Sequence, residues 1–101
     1  MQEISVGALH ALCAQHEAHR LVDVREKVEF DAGHVAGAEH MPLGTFSPSL
    51  CRGSEALYVM CASGGRSARA ISLLAEVGIR GINVTGGMSA WVRAGYPVHQ
   101  E

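Results

Sequence analysis

The sequence predicts an α/β fold in which a doubly wound, mainly parallel sheet is flanked by helices. Short apolar runs typical of buried parallel strands alternate along the chain with segments of helical spacing. In residues 57–74 an apolar run, a loop of small residues and a helical pattern follow one another directly. A chain of 101 residues can bury about 65% of its unfolded surface. We therefore expect one domain over residues 1–101, with an alternating order of strands and helices.

The first half of the chain contains two predicted helices and two predicted strands. Ser5 can cap a helix that ends near Glu17, and residues 21–24 form a buried strand. A turn and a brief helix over residues 25–30 end at Gly33, and residues 35–41 contain a second short extended segment before Pro42. Residues 43–55, rich in turn-forming residues, are the longest irregular connection that we expect.

The second half repeats the alternation of strand and helix. Residues 57–60 form a strand, and the helix after the small-residue loop carries Ala70, Ile71 and Leu74 before it ends at Gly78. Residues 82–84 form another buried strand, and residues 86–87 lead into a last helix with core residues Met88 and Trp91.

Composition and charge exclude several classes of function. The formal net charge is −2 and the isoelectric point about 6.3, so the chain lacks the basic field of a nucleic-acid-binding protein. Apolar runs stay far shorter than a membrane span, and the first residues do not resemble a signal peptide. Three cysteines, an odd number, are expected to be reduced thiols in the cytoplasm.

The loop after the strand at residues 57–60 begins with Cys61 and has the properties of an anion-binding site. The four residues that follow Cys61 have small or absent side chains, so backbone N–H groups can converge on one point. The positive end of the next helix also favours an anion there. Such surroundings lower a cysteine pKa from about 8.5 to between about 3.5 and 7.5, which makes the thiolate the main form. Cys61 is therefore the predicted nucleophile.

Other polar residues also follow predicted strands. Asp23 and Arg25 come at the end of one strand, and Thr85 at the end of another. Because ligands of open parallel sheets bind beyond the carboxyl ends of the strands, we expect these residues and Cys61 to share one rim. Asp23 and Arg25 are expected to support neighbouring loops by ion pairing, with Glu29 and His34 as candidate partners.

At four places, in the same order, the chain resembles the rhodanese (sulfurtransferase) domains. The matching segments are Asp23, Val24, Arg25 and Glu26 with Glu29 and Phe30; residues 33–38 with His40, Pro42 and Leu43; residues 61–67; and Gly86 and Gly87 with Trp91, Gly95, Pro97 and Val98. The resemblance implies a doubly wound domain in which the cysteine accepts a sulfane sulfur as a persulfide. It implies an anionic donor such as thiosulfate, an acceptor such as cyanide or a thiol, and no metal or other cofactor.

The residues so proposed for the site fall into three groups. Cys61 is the catalytic residue; Ala62, Ser63, Gly64, Gly65, Arg66 and Ser67 form the substrate-binding loop; Asp23, Arg25 and Arg69 are supporting residues. Arg66 is expected to steer an anionic donor and hold the loop. Ser67 is expected to cap the helix, and Arg69 is either a further cation of the site or a solvated surface charge.

Two alternatives to a small-molecule sulfurtransferase remain open. A module that relays persulfide to one protein partner needs the same thiolate. A cysteine phosphatase is disfavoured, because those enzymes have one residue more between cysteine and arginine than the four found here, and the tighter loop is cramped for a phosphoryl group.

The remaining cysteines and histidines receive structural interpretations. His10, Cys13 and His16 recur at a spacing of three, which spreads them around a helix and does not favour a metal site. Cys51 lies in the long connection, where it is either incidental or a resolving thiol for Cys61.

Overall fold

A computed structural model describes residues 1–53 and 56–100, and shows a sheet of five strands with every pair parallel. The order across the sheet is β1-β5-β4-β2-β3, so β4 lies at its centre. The strands are β1 (Glu3–Ile4), β2 (Leu21–Asp23), β3 (Glu39–His40), β4 (Ala56–Met60) and β5 (Arg80–Val84).

Helices connect the strands. They are α1 (Val6–Ala14), α2 (Lys27–Ala32), α3 (Gly65–Glu76) and α4 (Gly87–Arg93), with two short 3₁₀ helices, Leu43–Thr45 and Pro48–Cys51, in the connection before β4. In the described residues no helix is long and apolar enough to cross a bilayer.

Alternating side chains of β4 place a core on each face of the sheet. Leu57 and Val59 pack in a cluster with Leu74 of α3. Met60 packs on the opposite face in a cluster with Leu9 of α1 and with Trp91 of α4. Because consecutive strand residues point to opposite faces, β4 needs an almost continuous apolar sequence. The doubly wound parallel sheet predicted from the sequence is confirmed.

Several element boundaries differ from the predictions. Ser5 does cap α1, accepting a hydrogen bond from the Ala8 amide at 3.0 Å. The helix stops at Ala14 and not near Glu17, because His16 adopts a left-handed conformation with φ 53°. The edge strand β1 was not predicted, since two residues are too few to show an alternating pattern. Residues 54 and 55, at the end of the predicted long connection, lie outside the described residues.

Gly87, at the start of α4, lies against the backbone of the loop after β4. It has φ 53°, and a Cβ atom added there would lie 2.2 Å from the Cys61 carbonyl oxygen and 2.9 Å from the Ala62 carbonyl carbon. Both contacts are with backbone atoms, which cannot move aside as a flexible side chain would. Only glycine lets α4 approach the cysteine loop this closely.

Gly87→Ala should therefore lower the free energy of unfolding by about 2–4 kcal/mol, from overpacking together with left-handed strain. Gly44→Ala is the matched control, because its Cβ would meet nothing within 4 Å and its φ is not in the left-handed region. Urea denaturation of both variants measures the effect. Equal stability of the two variants would contradict the close approach of α4.

Candidate active site

Cys61 follows the last residue of the central strand β4 and lies beneath the loop that leads into α3. The residue is only 1% exposed. The Gly64 amide donates a hydrogen bond to Sγ at 3.0 Å, and the Ser67 hydroxyl lies 3.4 Å from Sγ. Gly64 adopts φ 128°, a conformation that turns its N–H toward the sulfur and that glycine adopts without strain. The predicted convergence of backbone donors on Cys61 is present in the structure.

Two opposing effects act on the Cys61 thiol. Burial by itself raises the pKa, because it penalises the charged form. Hydrogen bonds from the Ser67 hydroxyl and from the amides of Ser67, Gly64 and Ser63 favour the thiolate, and together they outweigh burial. The pKa of Cys61 consequently lies below the ordinary thiol value.

The first turn of α4 supports the loop from the side opposite α3. The Met88 amide donates to the Cys61 carbonyl at 2.8 Å, and the Ser89 amide donates to the Ala62 carbonyl at 3.0 Å. The loop carbonyls are thereby bonded to α4, and the Gly64 amide remains available to the sulfur. Of the segment from Thr85 to Gly87, expected at the same rim from its place after β5, Gly87 adjoins the cysteine loop.

Asp23 and Arg25 form a buried ion pair with each other. The guanidinium of Arg25 lies 2.8 Å from Asp23 Oδ2, and the two residues are 6% and 0% exposed. Arg25 also donates to the Gly33 carbonyl at 2.7 Å and to the Glu29 carbonyl at 3.3 Å. The expected role in holding neighbouring loops therefore has a structural basis. The expected partners differ, since Arg25 contacts the backbone of Glu29 and the ring of His34 bonds to the Phe30 carbonyl.

Arg66 is bound to the carboxylate of Glu29. Its two terminal nitrogens lie 2.6 and 2.9 Å from the two Glu29 oxygens, so the pair is bidentate. The hydrogen bonds from Arg66 hold the pKa of Glu29 at about 2, well below its usual range. No side-chain partner of Arg66 was predicted from the sequence. In the structure it connects the start of α3 to α2, and an anionic donor would share the guanidinium with Glu29.

Ser67 is not the helix cap that its sequence position suggested. Gly64 occupies the N-cap position without a side-chain bond, and Ser67 lies within the first turn of α3, completely buried. Its hydroxyl donates to Asn83 Oδ1 at 2.6 Å and lies 3.0 Å from the Gly64 carbonyl oxygen. Helix α3 starts two residues before Ser67 because Gly64 supplies the turn that a capping side chain would otherwise stabilise.

The other loop residues and Arg69 lie nearer the surface. Ser63 and Gly65 are exposed, Ala62 is half-buried, and Arg69 is exposed on α3. The exposure of Arg69 agrees with the interpretation as a solvated surface charge.

Sequence reasoning missed Asn83. This residue is 4% exposed in β5 and contacts the loop through both Ser67 and Gly64. A polar residue between Ile82 and Val84 in a buried parallel strand was the available signal, since such a side chain requires a partner.

Of the remaining cysteines and histidines, Cys51, His10 and Cys13 are at least partly buried, whereas His16 and His19 are exposed. Cys51 is fully buried, and burial raises the pKa of its thiol, which makes it a poor resolving thiolate. His10 stacks on Tyr96 with ring centroids 4.1 Å apart, and Cys13 Sγ lies 3.8 Å from a ring nitrogen of His19. In residues 1–53 and 56–100, no three His, Cys, Asp or Glu side chains are placed to hold a metal ion.

An open recess of about 420 Å³ adjoins the cysteine loop at Ala62. Arg25 and Glu29 line one part of it, and Met88, Val92 and Val98 supply apolar surface. A smaller recess of about 200 Å³, between α1 and α4, is lined by residues outside the cysteine loop. Of these two recesses, the larger one borders the cysteine loop, at Ala62, and the smaller one does not.

Comparison with known proteins gives a consistent result. A family model described as Rhodanese-like domain matches residues 5–94. The chain is 32% identical over 109 residues to thiosulfate sulfurtransferase 16 of Arabidopsis thaliana, with 93% of this chain and 89% of that protein covered. It is 33% identical over 92 residues to a putative sulfur carrier protein of Bacillus subtilis, covering 88% of this chain and only 50% of that longer protein. A crystal structure of a rhodanese-like domain protein from Staphylococcus aureus superposes with a TM-score of 0.86 at 30% identity, with 100% and 99% of the two chains covered.

Alkylation of Cys61 should reach half its maximal rate well below pH 8.5, the region of an ordinary thiol. The folded protein stabilises the thiolate, so its lowered pKa moves the whole rate profile toward lower pH. Peptide-level mass spectrometry after brief iodoacetamide treatment separates Cys61 from Cys13 and Cys51. Cys51, whose thiol pKa burial raises, is the internal control, and a Cys61 profile at the ordinary position would contradict the role of the amide donors.

Proposed function

The chain belongs to the rhodanese-like domain family, and on that basis we propose that it is a sulfurtransferase that carries sulfane sulfur as a persulfide on Cys61. The observation that supports this most directly is the Gly64 amide bond to Sγ, together with the lowered pKa of the thiol. A preformed thiolate needs no separate general base. The three cysteines, all free in the structure, fit a reducing compartment such as the cytoplasm.

In the first proposed step the thiolate of Cys61 attacks the outer sulfur of thiosulfate. A bond forms between Sγ and that sulfur, and the bond from that sulfur to the sulfonate breaks. Sulfite leaves with the electron pair, and the negative charge moves to the terminal sulfur of the new persulfide. No proton is transferred and no external oxidant is required.

In the second step cyanide or a thiolate attacks the terminal sulfur. The S–S bond of the persulfide breaks, its electron pair returns to Sγ, and thiocyanate or a new persulfide leaves. Cys61 is restored as the thiolate. Fixed amide dipoles suit both steps, because the charge stays within the loop and the donors need little reorganisation. Two half-reactions through one covalent intermediate predict ping-pong kinetics.

A relay of persulfide to a protein partner is the second candidate. The likeness to the sulfur carrier protein of Bacillus subtilis favours it, and so does the apolar part of the recess beside Ala62, where Val92 and Val98 are exposed. Exposed apolar side chains beside a reactive group are typical of a docking surface. The phosphatase alternative gains nothing from the geometry, because Arg66 is engaged by Glu29 and the loop closes tightly on one sulfur atom.

Incubation with thiosulfate should add one sulfur atom to the wild-type protein, and cyanide should remove it. Intact-protein mass spectrometry measures the gain, and Cys61→Ser, which retains a side chain of similar shape, is the control that should gain nothing. A gain that persists in Cys61→Ser would contradict the assignment. Transfer from a protein persulfide but not from thiosulfate would favour the relay.

Arg66→Ala should raise the KM for thiosulfate roughly 5-fold, because a partly exposed ionic contact is worth about 1 kcal/mol. Glu29→Gln is the matched variant, since it frees the guanidinium of Arg66 from its carboxylate partner and should lower that KM. Steady-state thiocyanate formation measures both. An unchanged KM in Arg66→Ala would remove Arg66 from donor binding.

A further inference from the structure

The Ser67 hydroxyl lies near more hydrogen-bond acceptors than it can donate to at one time. Its oxygen lies 2.6 Å from Asn83 Oδ1, 3.0 Å from the Gly64 carbonyl oxygen and 3.4 Å from Cys61 Sγ. A hydroxyl has one proton and two lone pairs, so it donates to one of these atoms at a time. The shortest contact is with Asn83, and in this arrangement the proton is directed away from the sulfur.

That arrangement suits a neutral thiol. The Cys61 S–H can donate to the Ser67 oxygen, whose own proton is donated to Asn83 Oδ1. A chain of two hydrogen bonds then runs from Cys61 to Asn83, and every member of it is at most 4% exposed. When Cys61 is a thiolate, Sγ has no proton to donate and instead accepts a hydrogen bond, so it needs a donor.

The amide of Asn83 can meet that change by a half-turn. It carries an acceptor oxygen on one side and two donor hydrogens on the other. Its nitrogen now has only long contacts, 3.4 Å to the Gly64 carbonyl oxygen and 3.8 Å to Met1 Sδ, and the half-turn gives these up because Oδ1 then faces the same two atoms without a hydrogen bond. After the half-turn, Nδ2 donates to the Ser67 oxygen and the hydroxyl proton is free for the sulfur.

We propose that Asn83 is a positioning residue that, through Ser67, reverses the direction of this hydrogen-bond chain when Cys61 loses its proton. The chain supplies an acceptor to the thiol and a donor to the thiolate. In the proposed function, the same direction lets the Ser67 hydroxyl donate to the negative persulfide sulfur. The inference rests on the proposed function only in taking Cys61 as the reacting group. A hydrophobic residue at position 83 would remove both the acceptor and the donor that Asn83 offers to the Ser67 hydroxyl, and would leave the hydroxyl with the Gly64 carbonyl as its other acceptor.

The charged groups near Cys61 form two ion pairs and do not substitute for this chain. Arg66 of α3 is paired with Glu29 of α2, and Arg25 is paired with Asp23 at the end of β2, the strand beside β4. The segment of α4 that bonds to the loop contributes the uncharged residues Met88 and Ser89. Replacement of Asn83 or Ser67 leaves both ion pairs in place, so differences among such variants report the hydrogen-bond chain.

The test is a double-mutant cycle of Asn83→Leu and Ser67→Ala, read as the pH at which Cys61 alkylation is half-maximal. Leucine has the same branching and the same number of side-chain heavy atoms as asparagine, is somewhat larger, and matches the apolar neighbours of β5, so it leaves no cavity for water. Ser67→Ala should raise the midpoint by about 1–2 pH units, since it removes a hydrogen bond to a charged group. Asn83→Leu should raise it by about 0.5–1 unit, equivalent to one neutral hydrogen bond. The double variant should match Ser67→Ala alone.

Three results would overturn the proposal: an unchanged midpoint in Asn83→Leu, a lowered midpoint, or a rise that persists in the Ser67→Ala background. A lowered midpoint would mean that Asn83 only withholds the hydroxyl from the sulfur. Should Asn83→Leu fail to fold, Asn83→Val gives the same comparison, because valine also lacks hydrogen-bonding groups, is smaller than leucine and suits a strand. The assay reads the thiolate and not sulfur transfer, so absence of transfer in every variant would count against the proposed function and leave this result intact.

Discussion

The structure depends on stabilising the anionic form of one thiol in a place that water hardly reaches. Burial of Cys61 alone would favour the neutral thiol. Among the contacts described for Sγ, none is with a cation that could reverse this effect. The loop after β4 solves this with backbone amides. They are dipoles fixed by the fold, so they stabilise charge without needing their own desolvated counterion. The remaining elements of the domain keep those amides directed at one atom.

Three neighbouring elements share that task. Helix α4 binds the loop carbonyls through the amides of Met88 and Ser89, and Gly87 permits the close approach. Helix α2 holds the start of α3 through the bidentate pair of Glu29 and Arg66. At the end of β2 the Asp23–Arg25 pair ties the strand to the backbone at Gly33. The Glu29–Arg66 pair connects two helices directly, and the Asp23–Arg25 pair fixes the guanidinium that bonds to Gly33, so both contribute to the relative placement of segments as much as to stability.

The architecture and the nucleophile could be predicted from the sequence because local patterns determine them. Apolar runs of strand length and the small residues after Cys61 are visible without any tertiary information. The partners of side chains could not be predicted in the same way. Arg66 meets Glu29 across 37 positions of sequence, and Ser67 meets Asn83 across 16. Ser67 was misplaced for a related reason, since a serine near a helix start usually caps it, whereas here Gly64 provides the turn and the hydroxyl faces inward.

The choice of an amide at position 83 follows from what the two states of the sulfur require. A buried carboxylate could only accept a hydrogen bond, and its charge would oppose the thiolate. A buried ammonium could only donate, and would leave the neutral thiol without an acceptor at the end of its chain. A side-chain amide can both donate and accept a hydrogen bond without carrying net charge. The contacts of the Asn83 nitrogen to Gly64 and Met1 are long, so the amide can turn from accepting to donating. In the proposed cycle the thiolate and the persulfide both carry one negative charge, so the Ser67 hydroxyl would donate to the sulfur in both, and Asn83 would reverse the chain only when Cys61 gains or loses its proton.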